Sequence, residues 1–479
     1  MSKLLRLTIT AVTLLALVAV CGYGAAKKKP VKAAPKAPAV KAPIWPKLLS
    51  IAAGQPFESV PSLGSSKLSV TLCAEETAPA TFTVRYGRPL SGVRVAAADL
   101  RGPSKIGKEN VTVRLVQGDN LVAAESIEIG ASPAQLWVNV TVPKGSKAGL
   151  YKGGIGFYSR GIQIDVEPIE ITVRPIRLIG SSKQYALYTC IGLSGQGASC
   201  LDCDGYTRFL ANAAKLGFRA VSVNAEPARI GEALGACASV GLLGNAPVIS
   251  FASGCSVPTP EDVKAVDSVR KAAGLGSAFY FCASEPATEE EVSAAVEKAN
   301  VFKRAGMQVG VTVSDDATAK KLLPVVDGIN YRYDMPYVQA LINGGSIRTS
   351  KWEWYWWDAR QSAADNRIRA GVALWRSGLY GCMPYWMPKG ADDRADNLGN
   401  LQCEALREGV NDTRYITTYM KALRELKDKK RMQDKDYIAA TEAYLAAFMA
   451  KPLEIITPAD LRAFRAKMAE FSAKLGAML

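Results

Sequence analysis

Ala278-Phe-Tyr-Phe-Cys-Ala-Ser-Glu-Pro-Ala-Thr-Glu-Glu-Glu291 runs from an unbroken apolar stretch directly into a helix signal. Residues 278–282 are aromatic or small, and the run is short enough for a strand buried on both faces. Pro286 breaks it. Thr288 with Glu291 three residues later is a capping box, and 289–305 reads as the helix it opens. A buried strand followed closely by a helix is half of a βαβ unit, the building block of parallel sheets.

The same texture repeats on both sides of this stretch. Strands are predicted at 185–191, 220–223, 247–251, 278–282, 308–313, 328–333, 351–357 and 381–386. Helices are predicted at 206–216, 228–240, 261–273, 289–305 and 366–377, and Thr259-Pro-Glu-Asp262 supplies a second capped start. Eight such repeats in about 200 residues point to a (β/α)8 TIM-type barrel, whose site lies at the C-terminal strand ends. An open doubly wound sheet is the alternative, but no glycine-rich phosphate loop follows the first strand. Upstream, short alternating runs at 67–72, 80–86, 93–97, 111–116, 126–129, 136–142, 153–158 and 169–173 are separated by Gly, Pro and Asx breaks. Their spacing predicts an antiparallel β-sandwich. The fold class is therefore multidomain β plus α/β. A signal peptide (1–26), a Lys/Ala/Pro-rich linker (27–49), a sandwich (50–178), a barrel (179–403) and a C-terminal helical segment (404–479) follow in order.

The first 26 residues place Lys3 and Arg6 before an apolar run, 7–20, and end in Gly24-Ala-Ala26. That order predicts export, to the periplasm or the medium, with lipidation of Cys21 as a second route to a membrane. The net charge of +15 is concentrated in the same region, where Lys3, Arg6 and lysines 27, 28, 29, 32, 36, 41 and 47 meet no acid. The remainder has an ordinary surface charge, so nucleic acid is not an expected partner. Of ten cysteines, Cys190, Cys200 and Cys203 lie close enough in sequence for one local disulfide, while Cys73, Cys282 and Cys382 read as buried thiols.

The chain has no histidine. Serine–histidine and cysteine–histidine catalysis and histidine-ligated zinc are excluded, and acid–base chemistry falls mainly to carboxylates. Glycoside hydrolysis is a large reaction class that runs on two carboxyl groups. No cofactor or metal is implied. The barrel mouth is expected to carry Asn224 and Glu226, Ser284 and Glu285, Asp315 and Asp316, Asp334, Tyr385 and Trp386, and Asp392 and Asp393. Asp315-Asp316 also reads as a helix cap, Asp392-Asp393 as solvated loop, and Glu226-Pro227 repeats the Glu285-Pro286 context. Glu285 is the candidate general acid, and Glu353 in the seventh strand its candidate partner. Trp352-Glu-Trp-Tyr-Trp-Trp357 is the densest aromatic cluster, and sugar faces stack on such rings. Trp352, Trp354, Tyr355, Tyr385, Trp386, Asp334 and Ser284 are the candidate glycan-binding residues. Strand alternation requires half of the rings at 352–357 to face the helix layer.

Three stretches, in this order, resemble glycoside hydrolase family 123 and its relatives. They are Ala134-Gln-Leu-Trp-Val-Asn-Val-Thr-Val-Pro143 with Gly149-Leu-Tyr-Lys-Gly153, then Tyr280-Phe-Cys-Ala-Ser-Glu-Pro286, then Glu404-Ala-Leu-Arg-Glu-Gly-Val-Asn-Asp-Thr-Arg-Tyr415. The resemblance implies substrate-assisted cleavage of N-acetylhexosaminides. An Asp orients the substrate's acetamido group as nucleophile, and the adjacent Glu protonates the departing oxygen. The Glu falls on Glu285 and the Asp on Ser284. A hydroxyl can orient the acetamido nitrogen but carries no charge to stabilise an oxazolinium ion. Asp202, Asp204 or Asp334 in place of the Asp, or a glycan-binding protein without turnover, are the readings this substitution opens.

Overall fold

The computed structural model describes residues 48–58, 67–193, 200–225, 227–242, 248–251, 258–344, 352–386, 398–429 and 434–479. The expected signal peptide, nearly all of the linker, Cys21, Glu226, Asp392 and Asp393 lie outside these residues.

Eight parallel strands close into a barrel. They are Gln184–Thr189, Ala220–Ala225, Val248–Phe251, Phe279–Ser284, Gln308–Val313, Gly328–Arg332, Trp352–Trp356, and an eighth in two pieces, Gly381–Cys382 and Tyr385–Trp386. The first strand pairs with the second (Ala186 beside Ala220) and with the eighth (Gln184 beside Gly381), which completes the ring. Each strand is near-continuously apolar because both faces are covered. Leu187, Val223, Tyr280, Val311, Ile329 and Tyr355 face outward and share a core with helix residues such as Phe209, Leu234 and Phe302. Ala186, Ala220, Val248, Phe279, Phe281, Trp354 and Met383 face inward and pack on one another with no helix residue among them.

Glycines make room for the large inward rings. A Cβ on Gly328 would lie 2.7 Å from the Trp354 ring, and one on Gly310 would overlap the Phe281 ring. A Cβ on Gly381 would meet Trp354 at 2.9 Å and the Gln184 carbonyl closer still. Three missing side chains thus accommodate two aromatic ones, and the lumen is packed solid.

Residues 50–177 form two sheets, one of five strands and one of seven. Every described pairing is antiparallel except Leu68–Ala74 beside Ile162–Arg177. Phe82, Leu136 and Val138 of one sheet share a core with Tyr151, Phe157 and Ile169 of the other. Phe82 and Phe157 meet edge to face at 6.3 Å.

After the barrel come helices Leu401–Asp428, Lys435–Ala450 and Pro458–Met478. The first of these binds sheets, barrel and last helix into one unit through buried charges. Asp412 accepts from Arg367 at 2.9 and 3.1 Å and from Arg465 at 3.0 and 2.6 Å. Arg465 reaches Glu408 at 2.9 Å and Glu76 of the sheets at 3.5 Å. Glu404 accepts from Asn139 at 2.8 Å and from Arg114 at 2.7 Å, both on sheet strands. Burial opposes ionisation of Asp412, yet Arg367 and Arg465 hold its carboxyl below the usual range. Burial raises that of Glu76. Gly409 sits at the closest helix approach, where a Cβ would lie 2.7 Å from that of Ala370.

Among the described residues no disulfide joins Cys190, Cys200 and Cys203, contrary to the expected local bridge. Arg229 donates to the Cys203 sulfur at 3.6 Å instead. Cys73, Cys282 and Cys382 are buried.

Candidate active site

The fourth strand reaches the mouth through a bulge. Phe281 pairs with Gly310 and Ser284 with Thr312, so one extra residue is accommodated between them. Glu285 then takes a left-handed backbone conformation, φ 51°, uncommon for a residue with a side chain, and donates its N–H to the Thr312 carbonyl at 2.8 Å. Pro286, buried, prevents any continuation of the ladder. The Glu285 side chain is half-buried. Removal from water raises its pKa, and the Arg332 charge pulls the other way without cancelling the shift.

Ser284 shares a hydrogen bond of 2.6 Å with the Tyr188 hydroxyl from the end of the first strand. Burial raises the Tyr188 pKa, and the Glu285 charge adds to the rise, so the phenol remains protonated. Beneath them lie Thr312 and Asn330, both fully buried, with the Asn330 amide 3.4 Å from the Thr312 hydroxyl. The Asn330 Oδ1 has no hydrogen-bond partner among the described residues. The rim adds the Arg332–Asp334 pair at 2.6 Å and Trp356, whose indole N–H lies 3.4 Å from the Val313 carbonyl. Tyr385 stands 5.6 Å from the Tyr188 ring, with Arg360 over it and held by Asp358 at 2.7–2.8 Å.

The structure brings Glu285, Ser284, Asp334 and Tyr385 to one rim and removes five other candidates from it. Glu353 faces the helices, fully buried, and accepts from the Tyr337 hydroxyl at 3.1 Å, so it is not a partner for Glu285. Tyr355 has the same parity and donates to the Arg369 carbonyl. Trp354 is inward but lies in the packed lumen, 4.9 Å from Phe279. Trp352 is inward at the opposite, N-terminal end, 4.6 Å from Tyr380. Trp386 is buried in the helix layer. Period-two alternation puts Trp352, Trp354 and Trp356 inside and Glu353, Tyr355 and Trp357 outside. Of the carboxylates weighed against the missing Asp, Asp202 caps the helix Cys203–Lys215 through the Gly205 N–H at 2.6 Å. Asp204 lies in that helix's first turn. Asp315 caps its own helix through the Thr318 N–H at 2.8 Å. The Asn224 side chain lies outside the described residues. Tyr188, Thr312, Asn330, Arg332 and Trp356 escaped the sequence reading, although each lies in a predicted strand with inward parity, and Thr312, Arg332 and Trp356 lie near its C-terminal end.

No family model matches the chain, and no curated protein matches its sequence. Among solved structures, a family 123 glycoside hydrolase from Clostridium perfringens, described for glycolipid glycan hydrolysis, superposes with a TM-score of 0.59 at 10% identity. The match covers 90% of this chain and 98% of that one. A family 2 glycosyl hydrolase from Bacteroides cellulosilyticus scores 0.32 at 15% identity over 71% of this chain and 48% of that one. A family 5 xyloglucanase from Bacteroides ovatus scores 0.29 at 11% identity over 76% and 100%. The last two scores are too low to bear on the fold. The first shows that the resemblance to family 123 extends to the fold of nearly the whole chain.

Proposed function

We propose that the chain is a glycan-acting hydrolase that works at the barrel mouth with Glu285 as its general acid, exported by its first 26 residues. The observation that carries this reading is the held state of Glu285. A bulge and a left-handed backbone fix the carboxyl at the rim, and partial burial favours its protonated form. A proton held this way can pass to a glycosidic oxygen as the bond to the sugar breaks. The resemblance assigns the family's Asp to Ser284, and the Ser284–Tyr188 hydroxyl pair can accept from an acetamido N–H. Asp334 is the described rim carboxylate nearest in role, and it would have to leave Arg332 to act.

The test is hydrolysis of aryl N-acetyl-β-galactosaminide and of aryl β-glycosides lacking the acetamido group. Turnover lowered at least about a hundredfold by Glu285→Gln, the lower end of what a general acid contributes, supports the reading. Turnover unaffected by that change refutes it. One observation favours a second reading. Ser284 is uncharged and already hydrogen-bonded, and losing a charge aimed at the transition state costs about 10²–10³ in rate. Glycan binding without turnover by wild-type protein would select this reading, a binding protein on a hydrolase fold.

A further inference from the structure

A cavity of about 900 Å³ opens at the other end of the barrel, where the sheets and the helix Leu401–Asp428 meet the N-terminal ends of the strands. Its charge is lopsided. Six basic side chains line it against two acidic ones. Arg177 is paired with Glu75 at 3.3 Å and Lys421 with Glu425 at 3.6 Å, which accounts for both acids. Arg407 is paired with Glu404 and more than nine-tenths buried, and its Nε has no hydrogen-bond partner among the described residues.

Among the described residues, three cations of the lining remain without a carboxylate in contact. Lys215 and Arg219 are exposed on the rim, and the Arg219 guanidinium lies against Gly180, where no side chain stands in its way. Arg414 donates only to neutral acceptors, the carbonyls of Ile179 and Glu75 at 3.3 and 3.1 Å and the Asn411 amide oxygen at 3.0 Å. Burial disfavours its charged form, and the nearby Glu76 only partly offsets this. The helix Cys203–Lys215 ends at the cavity and brings a partial negative charge of about half a unit, well below three uncompensated cations.

We propose that this cavity binds an anionic ligand carrying more than one carboxylate, phosphate or sulfate group, held by Lys215, Arg219 and Arg414. Guanidinium forks suit such groups, and the volume is that of a small-molecule site rather than of a single ion. The site is independent of the barrel mouth.

Isothermal titration with citrate, pyrophosphate and a disulfated disaccharide tests this at about 0.15 M salt, where non-specific surface attraction is screened. At least one of the three is expected to bind, and the response across them separates free polyanions from an anionic saccharide. The double variant Lys215→Gln/Arg219→Gln is expected to weaken that binding at least about tenfold, in proportion to two lost charge-assisted contacts. Neither side chain makes a described hydrogen bond, so circular dichroism and melting of the variant should match wild type. Absence of binding by all three probes up to 10 millimolar, a concentration of roughly negligible affinity, overturns the proposal. Binding that the double variant leaves unchanged also overturns it.

Discussion

Asp412→Asn should be among the most damaging single changes outside the barrel core. Asp412 is fully buried, and two guanidinium groups converge on it. Arg465 would still have Glu408 at 2.9 Å. Arg367 would not. It is 4% exposed, and Asp412 supplies both of its described hydrogen bonds. A buried charge stripped of its partner costs about 3–5 kcal/mol, whereas replacing a whole buried pair with apolar groups can be close to neutral. The double variant Asp412→Leu/Arg367→Met should therefore be markedly more stable than Asp412→Asn alone. Urea unfolding followed by tryptophan fluorescence reads both, and with a slope of about 3 kcal/mol per molar the single change moves the midpoint by more than about 1 M. The acid dependence follows in sign. The folded-state pKa of Asp412 is lowered, so its stabilisation is complete above the unfolded value and is lost as pH falls through the folded one. A cost below about 1 kcal/mol for Asp412→Asn, or a double variant as unstable as the sum of its parts, would refute the account of this joint.

Gly409→Ala should destabilise by about 1–2 kcal/mol in the same assay, because overpacking against Ala370 exceeds the gain in helix propensity of about 1 kcal/mol. Trp354→Ala should cost about 3–5 kcal/mol by emptying the lumen. Its effect on KM should be indirect, since the ring lies beneath the mouth; a change confined to KM in a variant of unaltered stability would contradict this placement. Arg332→Gln removes the charge that lowers the Glu285 pKa. The alkaline limb of kcat/KM, where the acid loses its proton, should therefore move to higher pH, and a downward move would exclude Glu285 as the acid. Ser284→Asp places a charge beside Glu285 and, on the proposed function, should raise turnover of N-acetylhexosaminides by about a hundredfold without helping sugars that lack the acetamido group.

The barrel was legible because each strand is an apolar run bracketed by turn or cap residues. Thr259 and Thr288 cap their helices as their sequence contexts require. Glu285 was legible for the same reason, as the first charge after such a run. Its surroundings were less so. Arg332 and Trp356 meet only through strand pairing, and Tyr188 joins them only when the ring closes. At 352–357 alternation halves the rings but sets neither which half faces the lumen nor how deep each sits: Tyr355 turns to the helices, while Trp352 and Trp354 face inward below the mouth. One strand presents three tryptophans to the lumen and hides Glu353 and Tyr355 behind them. The stretch 404–415, which contributed to the family resemblance, supplies the buried charges that join sheets, barrel and last helix rather than the mouth.

The exchange of side chains between Gly310, Gly328, Gly381 and the rings of Phe281 and Trp354 has an evolutionary corollary. Each ring and the glycine facing it are not free to vary one at a time. A methyl gained at Gly328 requires a smaller residue at 354, and a smaller residue at 354 opens a hollow that a methyl at 328 would fill, whereas position 381 stays glycine because the Gln184 carbonyl lies in the way. In related chains 310 should therefore change with 281, and 328 with 354, as heritable pairs, while the rim above them diversifies independently.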